Sequence, residues 1–174
     1  MNISLHSQTF SRLLFSFLIL AVLSIFETGV AASSVPERIV SLAPSSTEIL
    51  FELGLGDSIV GVTRYCDYPE AAKKITKVGG YVDPNYEAIV ALRPDLVLLL
   101  DTHTDVQDKL TKLSVPVLMV PYKTVDDIHA AILKVGEACG ATEKAAVLVK
   151  RLEARKQAVC EAVKDGRKPR VMIC

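Results

Sequence analysis

The chain has 174 residues, with 20 Lys and Arg set against 20 Asp and Glu and a formal net charge of zero. A phosphate backbone requires a basic excess or stripe, so this balance argues against nucleic acid as a partner. Apolar residues make up 50%, but four of the five phenylalanines (Phe10, Phe15, Phe17 and Phe26) lie near the start, so the remainder is less apolar than this average.

Residues 1–32 read as a secretory signal peptide. Arg12 closes a short polar start, Leu13–Phe26 is a 14-residue apolar run, and Val30-Ala31-Ala32 offers small residues for cleavage before Ser33. The run spans only ~21 Å as a helix, against ~30 Å for a hydrocarbon core, so cleavage is favoured over a retained anchor. No cysteine lies near the cleavage point, so no lipid-modified cysteine is expected. Removal of the segment leaves 142 residues, enough for one compact domain. The expectation is an exported protein.

From Arg38 onward, short apolar runs alternate with helical patterns, the signature of βαβ units and a parallel sheet. The strands are expected at Arg38–Leu42, Ile59–Val62, Asp95–Leu100 and Val117–Val120. Leu96 to Leu100 is continuously apolar, as in a central strand covered on both faces. Ser45-Ser46-Thr47-Glu48 reads as a capping box that opens a helix stopped by Gly54. Asp83-Pro84 reads as a cap and first helical position before Tyr86–Leu92. Further helices are expected from Thr104 to Leu113 and from Thr124 to Cys139, the latter ended by Gly140. Thr142–Lys164 has no internal Gly or Pro and would be ~35 Å long as a helix. Its stripe is Ala145, Val149, Leu152, Val159 and Val163, interrupted by Lys156. Arg170–Ile173 reads as the start of a new strand.

None of Cys66, Cys139, Cys160 and Cys174 has C-x-x-C spacing. A helix from Thr142 carries Cys160 ~27 Å along its axis, too far to bridge to Cys139. Buried or free thiols are expected. Enzyme signatures are absent: there is no G-x-S-x-G, P-loop or H-E-x-x-H motif. Gly54-Leu55-Gly56 followed by Gly61 lies after a helix and before a strand, the reverse of dinucleotide-binding order.

Open α/β sheets bind ligands beyond the carboxyl ends of their strands, which directs attention to the loops there. Ser45 and Ser46 offer hydroxyls and backbone N–H groups at a helix start, where plain capping is the other reading. Thr63–Pro69 carries Tyr65 and Tyr68, with Asp67 near Arg64, and tyrosine faces suit a large planar ligand. In Gly79-Gly80-Tyr81 the glycines permit close backbone approach under Tyr81. Asp101, Thr102, His103 and Asp105 follow the third strand and are open to a metal-site reading. His129, inside an amphipathic helix, reads as a surface residue.

These residues resemble the substrate-binding proteins of ABC importers for cobalamin, haem and ferric siderophores. The resemblance runs over residues 36–173. It is carried by the segment from Arg38-Ile39-Val40-Ser41-Leu42-Ala43-Pro44 to Ser45-Ser46-Thr47-Glu48, then Asp67-Tyr68-Pro69, Gly79-Gly80-Tyr81, and Asn85-Tyr86-Glu87-Ala88-Ile89 through Arg93-Pro94-Asp95-Leu96-Val97. It is closest to the cobalamin-binding branch, through Tyr65-Cys66-Asp67-Tyr68-Pro69. The resemblance implies an α/β fold with a parallel-sheet, Rossmann-like first lobe at 36–140 and a connecting helix at 142–165. A second lobe would start at 170–174 and be truncated here. It also implies a ligand held between lobes with no covalent chemistry and no cofactor, delivery to an inner-membrane permease, and a periplasmic location as a monomer. Tyr65 falls at a ligand-contacting tyrosine. Tyr81 and Leu100 fall where tryptophans are frequent, and this chain has none. With Ser45, Ser46, Asp67, Thr102 and His103 they form the expected ligand face, while Glu87 falls where a carboxylate docks on the permease. The competing expectations are an exported α/β metal-dependent hydrolase using Asp67, Asp101 and His103, and a truncated product without independent function.

Overall fold

The computed structural model describes residues 35–172; the expected signal peptide lies outside them. Four strands alternate with helices: β1 Ile39–Ser41, β2 Ile59–Val62, β3 Leu96–Leu100 and β4 Val117–Val120. The helices are α1 Pro44–Glu52, α2 Tyr86–Ala91, α3 Thr104–Lys112, α4 Val125–Ala138 and α5 Thr142–Val163. The strands pair in parallel in the order β2-β1-β3-β4. The bridge from Val62 to Lys77 extends the β2 flank. β4 closes the other side, and there the outward Met119 carbonyl accepts a 2.7 Å hydrogen bond from Lys134 Nζ.

Side chains alternate along each strand, so each strand feeds two cores. Ile39, Leu98, Leu100 and Val120 pack with Leu50, Ile132 and Leu148, under α1, α4 and α5. Val40, Val97 and Leu99 pack with Ile89, Val106 and Leu110, under α2 and α3. All of β3 is buried, as its unbroken apolar run requires. β1 is one residue shorter at each end than expected. At its start, Asp95 accepts the N–H groups of Glu37 (2.8 Å) and Arg38 (3.0 Å), tying the chain to the residue before β3.

Two helix starts differ from expectation. α1 begins at Pro44 with Ala43 as its N-cap, not in a Ser45 capping box. Proline's fixed φ and missing N–H suit the first helical position. Thr47, freed from any capping role, turns inward: its hydroxyl lies 2.8 Å from Ser41 Oγ and 3.1 Å from the Ala43 carbonyl. α2 is capped by Asn85, whose side chain accepts from the Ala88 N–H, and not by Asp83-Pro84. α4 has the capping box that α1 lacks, between Thr124 and Asp127.

α4 and α5 are antiparallel neighbours turned by Gly140 at φ 66°. A Cβ on Gly136 would collide with that of Ala145, so the glycine sets how closely the two helices approach. The α5 stripe holds as far as Leu152, but Val159 and Val163 are 62% and 60% exposed. His129 is mostly buried, with Nδ1 3.7 Å from Glu153, because α5 lies over the face that reads as surface in the sequence. Residues 170–172 are exposed and unpaired, so the expected strand is absent there; no strand among the described residues runs beside them. Cys66 and Cys139 are buried free thiols and Cys160 an exposed one. No helix among the described residues is long and apolar enough to cross a membrane.

Candidate functional site

The chain leaves β1 toward β2 on one side, while β3 and β4 lie on the other. The switch point is therefore between β1 and β3, and loops from all four strands surround it at the carboxyl edge. Pro44 has no N–H, and the N–H groups of Ser45 and Ser46 precede the first intrahelical bond, from Thr47 to Ala43 at 3.1 Å. Ser45 is exposed. Ser46 is fully buried, and its hydroxyl has no partner.

Both serines and Leu100 line a groove of about 460 Å³ bounded by α1, α4, α5 and the ends of β3 and β4. Ile49, Ile132 and Leu152 give it an apolar wall, and Tyr122 and Arg155 stand at it without any sequence expectation. α5 packs on α4 and meets α1 where Arg151 bonds Glu52 at 2.6 Å, which closes one side of the groove. The other expected residues are not in this groove.

The loop after β2 is anchored from below. Thr63 Oγ1 lies 3.1 Å from Cys66 Sγ, which lies 3.2 Å from the Thr47 hydroxyl. This joins the loop to α1 through a buried polar network. Lys77 Nζ donates to the carbonyls of Cys66 (3.0 Å) and Ala72 (2.9 Å). Tyr68-Pro69 is a cis peptide. On this base Tyr65 stands 54% exposed, with Asp67 also exposed. The sequence places Asp67 nearest to Arg64, but the arginine pairs instead with Asp83 at 2.6 Å, which holds the guanidinium pKa above its ordinary value.

Tyr81 is half-buried and meets the His103 ring edge to face at 4.1 Å. Both His103 nitrogens are buried without a partner, and burial lowers its pKa. Thr102 beside it is exposed. No group of three His, Cys, Asp or Glu side chains able to hold a metal ion occurs among the described residues, so Asp67, Asp101 and His103 do not converge. Glu87 is exposed, in the first turn of α2.

The result is a parallel α/β lobe whose carboxyl edge carries the exposed Tyr65, helix-start N–H groups and an apolar groove. Residues 39–174 match the family described as periplasmic binding protein, and the chain belongs to that family. It is 39% identical over 134 residues to an uncharacterized ABC transporter substrate-binding lipoprotein, YvrC, of Bacillus subtilis, covering 74% of this chain and 42% of that protein. Among solved structures, the periplasmic vitamin B12 binding protein BtuF of Vibrio cholerae superposes with a TM-score of 0.70 at 30% identity, covering 76% of this chain and 53% of that one. The periplasmic heme-binding protein RhuT of Roseiflexus sp. RS-1 gives 0.71 at 28%, covering 76% and 52%. The chain thus spans about two fifths of the curated relative and half of the solved ones.

Proposed function

We propose that this chain is the first lobe of an extracytoplasmic substrate-binding component of an ABC importer, which takes a cobalamin-like or iron-chelate ligand against its carboxyl edge and delivers it to a permease. The observation that supports the reading is that the Ser45-Ser46 helix start and the Tyr65 loop leave the carboxyl ends of β1 and β2, and that Tyr81 packs on His103 after β3, in a fold whose relatives include B12- and haem-binding proteins. Aromatic faces and helix-start N–H groups suit a broad, weakly charged chelate with polar substituents. Ligand, permease partner, periplasmic location and absence of catalysis belong to this reading. The metal-dependent hydrolase gains no support, because its three side chains stay apart.

One lobe covers one face of a ligand, whereas binding pockets enclose ~70–90% of a small ligand's surface. Halving the contacts leaves the entropic cost of association intact, so the chain alone should bind cyanocobalamin or haemin only weakly. Calorimetry tests this, and submicromolar binding by the 174-residue chain would contradict it. In a two-lobed protein containing this chain, Tyr65→Ala should weaken binding by about 1–2 kcal/mol, with unchanged affinity removing Tyr65 from the site.

A further inference from the structure

We infer that Arg64 and Asp83 are positioning residues whose ion pair clasps the Tyr65 loop to the Tyr81 loop and so presents the two rings as one surface. This rests on the reading of the carboxyl edge as the ligand site. The loops are joined at the backbone by the Arg64 N–H, which donates to the Gly79 carbonyl at 2.9 Å, while the Gly80 N–H, which donates to the Asp83 carbonyl at 3.1 Å, closes the Tyr81 loop on itself. Across this frame Arg64 Nη2 donates to Asp83 Oδ2 at 2.6 Å. The guanidinium carbon lies 5.7 Å from the Tyr65 ring centroid, within cation–π range. A Cβ on Gly80 would fall on the Asp83 carboxylate and 3.1 Å from Arg64 Nη2, so the residue before Tyr81 is bare where the pair passes. Tyr81 continues the chain of contacts to His103, beyond β3.

The two side chains are 49% and 64% exposed. A pair this exposed adds little to global stability, so what it provides is local order. Rings held in place before the ligand arrives spare the ligand the cost of ordering them. Lysine would not replace Arg64, because a point charge cannot both bond the carboxylate and present a flat cation beside the Tyr65 ring.

The test compares the wild-type chain with Arg64→Ala, Asp83→Ala and the double variant. Backbone amide exchange is read at 64–67 and 79–85 without ligand, and tyrosine ring resonances are followed during titration with cyanocobalamin at millimolar concentration. Each single variant should speed exchange in both loops about tenfold with an unchanged melting temperature, and the double should be no looser than either single. Cyanocobalamin affinity should fall about three- to tenfold. Unchanged exchange and affinity in the single variants, with normal wild-type binding, would overturn the clasp alone. Failure of a single variant to fold would also overturn it, since the pair would then be structural. Absence of any tyrosine shift in the wild type, with cyanocobalamin and again with haemin, would instead end the ligand reading, and with it the clasp's place in a site.

Discussion

His103 gives up the hydration of both ring nitrogens to lie against Tyr81, and this is affordable only while the imidazole is neutral. Its position as N-cap of α3 acts in the same direction, since a helix start disfavours a cation. Because the folded pKa lies below the ordinary value near 6.5, the unfolded chain takes up the proton first as pH falls. The contribution to stability is therefore full above about pH 6.5 and shrinks as pH drops toward the depressed folded value. Urea unfolding at pH 7.5, 6.5 and 5.5 should show this loss, and His103→Phe should show less of it; parallel slopes in the two proteins would refute the assignment. Little of this could be read from the sequence, where the Asp101–Asp105 stretch is merely open to a metal-site reading and spacing carries no information about what a ring packs against. Arg64 was equally opaque, since its partner is 19 residues away and meets it only through the turn at Gly79 and Gly80.

Strands and helices were far more legible than contacts. β2 and β4 fall where the apolar runs place them, although β4, at the sheet edge, is only half-buried over Val117 to Met119. The caps of α1 and α2 were less legible, because several cap-competent residues stand near each start: α2 uses Asn85 among them, and α1 uses none. For α1 the start is set by Pro44 at the first helical position, which leaves Ala43 as an N-cap with no side-chain bond. The α4–α5 seam depends on Gly136, and Gly136→Val should destabilise the lobe by about 1–3 kcal/mol through overpacking. Denaturant midpoints measure this, and a shift within error would mean the helices can part freely. α5 itself divides at Leu152. The half that packs on the lobe should hold its amide protons, and residues from about 157 onward should exchange quickly; uniform protection along the helix would contradict this division.

At the scale of the whole molecule, Glu87 stands at the exposed start of α2, and two roles compete for it. A carboxylate in the first turn stabilises a helix by ~0.3–1 kcal/mol through the dipole alone. A docking role predicts something different for Glu87→Ala in a two-lobed protein: an unaltered fold and slower, salt-sensitive association with the reconstituted permease. Surface plasmon resonance at two salt concentrations separates them, and unchanged association kinetics would end the docking role. The bond from Lys134 to the Met119 carbonyl bears on a hazard common to all open sheets. The outer rail of β4 presents unpaired backbone groups and would serve as a template on which an unrelated strand could dock. An added strand would meet the exposed Lys134 side chain lying over one of these acceptors, the Met119 carbonyl. The charge that blunts this edge thus comes from a neighbouring helix rather than from β4, whose own four residues are all apolar.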